Sequence, residues 1–360
     1  MRWDFYIWRK QWVNWLVLPI VILTAFIAYH SAVQQKQAQI TQEVNRLFNE
    51  DSSLQETLRT LAKHRRVNHR EIKIIRAQRQ RLTRYAVAFK TNAKNLAQTR
   101  LAYEKGALNH VNLLTVQTKQ TVALNVKRDQ YLIAKQLRAD EGTPQLSAGA
   151  FWLSVQNVFG IVFLLVLIVF STVSLYTRDW SDNSWRLRYC LPQKRKQLLS
   201  NKNKLAGFIG FANLGYIFIV TGLVSGMSSH NFDGWRYPVL VEGRTLMTRG
   251  ELSVLNLVLV LAWLGLLLAI IKGVGLMIHD RFVATFAIIA LLVIGSTLFS
   301  STQTGTWFVL NPFSQLGLMH SYSKLDYVGT LLKAVGIDIL LVIAINLVTR
   351  QIVEKKLIIY

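Results

Sequence analysis

The chain of 360 residues has a single cysteine, Cys190, so no disulfide can form within it and every domain must be held by packing alone. It has no GxxxxGK[ST] phosphate loop, which excludes the usual Gly-rich cradle for ATP. HExxH, CxxC and GxSxG are missing too, leaving no enzyme signature, so any energy source is expected in another protein. Acidic residues are scarce, 19 against 42 Lys and Arg, for a net charge of +23. That imbalance first points to nucleic acid, but no zinc-finger spacing and no RNA-recognition signature accompanies it. Much of the positive charge borders apolar runs, where membrane lipids with anionic headgroups are the nearer partner. His64 and His69, in HRRVNHR, read as a solvated basic helix face, and no metal or cofactor is expected in this chain.

What the chain has in quantity is apolar sequence, 51% of its residues. A helical span needs about 20 mostly apolar residues. Six segments qualify, 12–28, 151–176, 205–227, 252–277, 282–300 and 328–348, and the expected fold class is an all-α integral membrane protein. The first segment lacks a small-residue cleavage site and runs into a polar helical continuation, so it reads as an anchor and not a signal peptide. Residues 1–11, with Trp3 and Trp8 among charges, read as an interfacial helix. Lys and Arg in the short connections set the orientation. Loop 177–204 holds eight of them, against only Arg236, Arg244, Arg249 and Lys324 in the short connections on the other side. Both termini, including a tail at 349–360, and loop 177–204 are therefore expected in the cytoplasm, with 31–150 outside.

Residues 31–150 read as helical. Ile40, Val44 and Leu47, then Leu54, Leu58 and Leu61, have helix-face spacing, with a break expected at 49–53 and a capping box at Ser53 and Glu56. Ile75, Leu82, Phe89, Leu96 and Tyr103 repeat every seven residues, which predicts one long helix packed in coiled-coil manner up to Lys105-Gly106. A further helix carrying Val122 and Leu132 returns to the membrane. The result is an external hairpin or small bundle whose thin apolar face pairs with a second copy or with the membrane domain.

Within the apolar spans, Asp338 stands out, because an ionised carboxylate there costs several kcal/mol unless paired or hydrated. Asn256 and Asn346 are further polar groups at depth. They read either as a polar point on a substrate path or as interhelical hydrogen bonds that fix packing.

The loop carries Asp179, Asp182, Asn183-Ser184, Leu191-Pro192, Lys194-Arg195 and Lys202, and Asn311-Pro312-Phe313 precedes the last span. In this order the residues resemble the cytoplasmic signature and the Asn-Pro-Phe element of type-2 ATP-binding-cassette permeases, with Asn183-Ser184 where that family commonly has Gly-Thr. The resemblance covers the membrane domain and leaves 31–150 unexplained. It implies a bacterial plasma-membrane permease paired with a second copy or homologue. Two cytoplasmic ATPases would bind ATP and Mg, and the loop would dock into them. The expected activity is export of a peptide, lipid or drug. Sensing of an antimicrobial peptide through the same ATPase coupling, or a scaffold with an external coiled coil, are the alternatives.

Overall fold

The computed structural model describes residues 2–10, 12–63, 69–110, 119–158, 160–181, 195–241, 245–299, 310–315 and 327–356. Two short helices, α1 (Arg2–Lys10) and α2 (Trp12–Trp15), lead into α3 (Val17–Ala62), a helix of 46 residues. At 1.5 Å per residue α3 is roughly 69 Å long, more than twice the hydrocarbon thickness. Pro19 sits in its first turn, where a missing N–H costs nothing. The expected break at 49–53 and its capping box do not form. Ser52 Oγ donates back to Phe48 O at 3.0 Å and Thr57 Oγ1 to Ser53 O at 2.9 Å, within the helix. Arg46 reaches Glu43 and Glu50 along the same face, and Asp51 accepts two bonds from Arg79 at 2.8 and 3.0 Å. Side-chain pairing thus overrides the weak helix preference of Asn, Asp and Ser.

The polar part of α3 is the first wall of a helical head completed by α4 (His69–Lys90), α5 (Leu96–Asn109) and α6 (Lys119–Ala134). Ile75, Leu82, Phe89, Leu96 and Tyr103 are all buried, with no more than 3% exposure each. They do not lie on one helix. Asn92 takes a left-handed φ of 48°, Ala93 N bonds Ala88 O and Asn92 N bonds Phe89 O, which is a Schellman stop. The chain then reverses, so that the Tyr103 ring stacks on Tyr85 at 5.9 Å and Gln78 Nε2 donates to Tyr103 O at 3.0 Å. Gly106 is no interruption. A Cβ there would lie 2.3 Å from Gln78 Oε1, so glycine is what lets α5 approach α4. The apolar seam is covered within the chain, by Leu47 and Leu54 of α3 and by Tyr237, and needs no second copy.

The second apolar run divides into α7 (Ala148–Val158), α8 (Gly160–Thr172) and α9 (Ser174–Ser181). Then come α10 (Arg195–Ser229), α11 (Arg249–Met277), α12 (Arg281–Phe299), the turn α13 (Pro312–Gln315) and α14 (Tyr327–Lys356). Between α10 and α11 lies the one departure from an all-helical fold among the described residues. Strands β1 (Pro238–Val241) and β2 (Thr245–Thr248) pair antiparallel, Pro238 opposite Thr248 and Val241 opposite Thr245. A capping box absent from the sequence expectations starts α11, with Thr248 Oγ1 accepting from Glu251 N and Glu251 Oε2 accepting from Thr248 N at 2.7 Å.

Among the described residues four helices are long and apolar enough to cross a membrane, α3, most of α10, α11 and most of α14, and two shorter apolar stretches lie in 165–178 and 281–295. The chain is a helical membrane-embedded protein. Half of the most apolar stretch of α11 is buried against 17% for α14, so α11 is the central helix and α14 lies at the edge. Leu23, Phe208, Val254, Phe286 and Leu340 are each at least 60% exposed, as suits a lipid-facing surface. α14 continues unbroken to Lys356, so 349–356 extends the last span where a separate tail is expected from sequence, and 357–360 lie outside the described residues.

Leu82, 1% exposed, is expected to cost about 2–5 kcal/mol as Leu82→Ala. Val87→Ala on the solvent side of the same helix, 57% exposed, is expected to stay within about 0.5 kcal/mol. Thermal unfolding of the full chain in detergent compares the two.

Candidate functional site

A chamber of about 780 Å³ opens where the head meets the membrane helices. α3 supplies Lys36, Gln39, Glu43 and Arg46, spaced three and four apart and hence on one face. α4 adds Tyr85 and Phe89, α5 adds Arg100 and Glu104, and α6 adds Asn125 and Arg128. The segment between α6 and α7 brings Asp140 and Glu141. Leu146, Ala150 and Leu153 form an apolar floor, and Tyr237 and Arg249 enter from the two ends of the ribbon, just before β1 and at the start of α11. The volume falls within the usual range for small-molecule pockets.

The wall behind the chamber is a buried ion cluster. Arg100, 4% exposed, donates from Nε to both oxygens of fully buried Asp129 at 3.0 and 2.9 Å, and its Nη1 lies 3.0 Å from Glu141 Oε1. Arg128 stands farther off, 3.7 Å from Glu141 and 3.8 Å from Asp129. Burial opposes ionisation of Glu141, but Arg100 and Arg128 outweigh it and hold its carboxyl down at about 2. Glu104 goes the other way. Burial and the Asp129 charge push it up to about 7, although Asn125 Nδ2 donates to it at 3.3 Å. Arg249 pairs with Asp140 at 2.7 Å and lies 4.2 Å over the Tyr237 ring, tying the start of α11 to the head. Lys36 Nζ donates to Gln145 O at 3.2 Å.

Five cations and four carboxylates line this chamber, so its charge is nearly compensated. The positive surface lies elsewhere, on the outer side of α4, where Arg70, Lys73, Arg76, Arg81 and Arg84 are exposed. The chamber is thus suited to an amphipathic ligand bearing both signs of charge, and the outer face of α4 to anions.

The loop at the opposite end is described only at its borders. Asp182, Asn183, Ser184, Leu191, Pro192 and Lys194 lie outside the described residues, and so does His64. Asp179 lies in α9 and Arg195 opens α10. Lys202, about two turns into α10, is buried. The two borders are fastened together, since Tyr176 Oη donates to Asn203 Oδ1 at 2.9 Å and a Cβ on Gly275 would lie 2.8 Å from that of Tyr176. α1 reaches this end as well, with Trp8 Nε1 donating to Ser171 O at 2.7 Å.

The polar residues at depth are not gathered in one place. Asn256 accepts from the Tyr327 hydroxyl, and Asn346 accepts from Lys272 Nζ at 2.8 Å. Lys272 is not among the residues expected from sequence, though a lysine inside the run 252–277 is a signal of the same kind as Asp338. Asp338 joins neither pair. It is fully buried, and neither carboxylate oxygen has a well-formed hydrogen bond.

No family model, no curated protein and no solved structure matches this chain.

Because Glu104 is raised in the folded state, its neutral form favours folding. That contribution is complete below about pH 4.5 and is lost as pH rises through about 7. Glu104→Gln, neutral throughout, is expected to gain on the order of 1–3 kcal/mol over the native chain between pH 5 and pH 8. Paired melting curves of the two chains across that range read the difference.

Proposed function

We propose that this chain is the permease subunit of an ATP-driven exporter in a bacterial plasma membrane, spanning it six times with both termini and loop 177–204 in the cytoplasm. The observation that carries the reading is the fastening of the loop's borders. Tyr176 bonds Asn203, and α11 packs against Tyr176 through Gly275, so a push on the loop is delivered to three membrane helices together. Such a base suits a lever driven by a separate ATPase, whose nucleotide has different affinity for two states of the whole. The loop's eight basic residues and the order of its Asp, Leu-Pro and Lys-Arg elements support the same partner. The chamber, mixed in charge with an apolar floor, supports an amphipathic substrate collected at the outer border of the membrane. The scaffold alternative loses support because the head's apolar seam is already filled by its own chain.

Arg195→Glu with Lys196→Glu is expected to abolish co-purification of the ATPase and at least ten-fold of its stimulated turnover. Retention of both would remove the loop from the coupling path. The orientation has its own measurement. Lys105→Cys, at an exposed position on α5, in a Cys190→Ser background is expected to react with a membrane-impermeant maleimide on intact cells. Reaction only after permeabilisation would invert the topology.

A further inference from the structure

The buried face of α14 runs Tyr327, Leu331, Ala334, Asp338 and Thr349, a seam turned toward α11 and α13 in which Asp338 occupies a core position. Its depth is fixed by its neighbours. Leu332, Ile339, Leu340 and Ile343 are each more than half exposed, and such side chains are stable there only against hydrocarbon.

The turn α13 reaches the same layer. Asn311 caps it, its Oδ1 accepting from Phe313 N at 3.0 Å and its carbonyl from Ser314 Oγ at 2.8 Å. Phe313 packs edge-on against buried Trp263 of α11 at 5.7 Å, and a Cβ on Gly295 of α12 would lie 2.5 Å from the Phe313 ring. Gln315, fully buried, faces Asp338 from this turn without giving either oxygen a well-formed bond. A single helical turn at membrane depth leaves backbone groups without partners within the helix, and is tolerated only where protein buries it or water lines it. Here the Asn311 cap and the packing of Phe313 satisfy that condition.

Among the described residues no charged group faces Asp338. α13 has no titratable residue, and α12 has none beyond Arg281 at its start. On α11, Arg249 and Glu251 stand at the head end, while Lys272 bonds Asn346, eight positions or roughly 12 Å along α14 from Asp338. On α14 itself, Tyr327 bonds Asn256. Lys333 lies five positions away, about 140° around the helix, and is exposed. Thr349 and Arg350 are farther toward the loop end. An ionised carboxylate with no cation and no well-formed hydrogen bond is several kcal/mol too costly in such a place. Asp338 is fully buried, out of reach of bulk water, and none of the described cations stands beside it. The ligand that fits is the smallest one.

We propose that Asp338 is a proton-binding site of the membrane domain, holding a proton while α11, α13 and α14 are packed together and giving it to water when that junction opens. The proton is then a ligand of the closed junction, and its loss favours the open one by the ordinary linkage between binding and conformation. The inference needs only that the chain spans a membrane. It stands or falls apart from the ATPase partner.

The test uses the purified full chain in lipid nanodiscs. Infrared difference spectra between the native chain and Asp338→Asn at pH 7 are expected to show one protonated-carboxyl carbonyl band belonging to the native chain. That band should persist well above the pH at which ordinary carboxylates have ionised, and vanish when the chain is unfolded. Dicyclohexylcarbodiimide, which is apolar and reacts with protonated carboxyls, is expected to modify Asp338 at least ten-fold more than a water-soluble carbodiimide does, as read by mass spectrometry. A carboxylate band in place of the protonated one at pH 7 would overturn the proposal, as would a band lost with an ordinary carboxylate titration. Should Asp338→Asn unfold, the pH titration of the native band in a Glu104→Gln background gives the same decision. If loss of ATPase coupling accompanied an intact band, only the permease reading would fail.

Discussion

An unbroken backbone ladder through α3 is the constraint on which the rest of the molecule depends. One helix passes through the apolar region and continues as the first wall of the head, so no hinge lies between the two within its 46 residues. Its apolar portion carries Val17, Val21 and Ala25 against α7 and α10, and its polar portion carries Leu47 and Leu54 into the head's core. A displacement at either end is therefore transmitted along a rod and not absorbed in a loop. The second link is electrostatic. Arg249, at the first residue of α11, pairs with Asp140, and the turn 231–234 bonds Ala148 N and Gly149 N at the start of α7. Head and membrane helices are thus joined through α3 and through the Arg249–Asp140 pair, and the turn 231–234 ties α10 to α7 beside them.

Burial of charge is handled in two opposite ways. Around Arg100 the carboxylates Asp129 and Glu141 share a guanidinium whose planar fork serves both, so the desolvation cost is met by short charge-assisted bonds. Such a cluster specifies the arrangement of α5, α6 and the 140–141 segment more than it adds net stability, since an apolar trio would pack as well without desolvation. At Asp338 there is no such compensation among the described residues. A membrane helix tolerates that only with the side chain neutral, and this is what separates Asp338 from Asn256 and Asn346, whose partners make them packing elements.

Much of the architecture was legible from composition and spacing. The apolar lengths are physical requirements of hydrocarbon, and α11 and α14 lie where the runs 252–277 and 328–348 predict them. The seven-residue repeat identified five core side chains, because the same positions are buried whether the helix continues or folds back. It did not reveal the reversal at 91–95. The stop residue is Asn92, and Gln136 and His230 end two other helices in the same left-handed conformation, where glycine is the usual mark. The β ribbon is likewise not legible from pattern, its strands being only four residues long.

By itself the sequence determined that this chain lies in a membrane, that no disulfide forms within it, and that Asp338 falls inside an apolar run of membrane-spanning length, since each follows from residue identity and run length alone. Only the tertiary structure decided which charges meet. Arg100 and Asp129 are 29 residues apart, Lys272 and Asn346 are 74 apart, and Asp338 meets none of the described cations. Pairing of that kind depends on where helices reverse and how closely they approach. Those choices rest on left-handed turns at Asn92 and Gln136 and on the missing side chain of Gly106, which leave almost no trace in composition or periodicity.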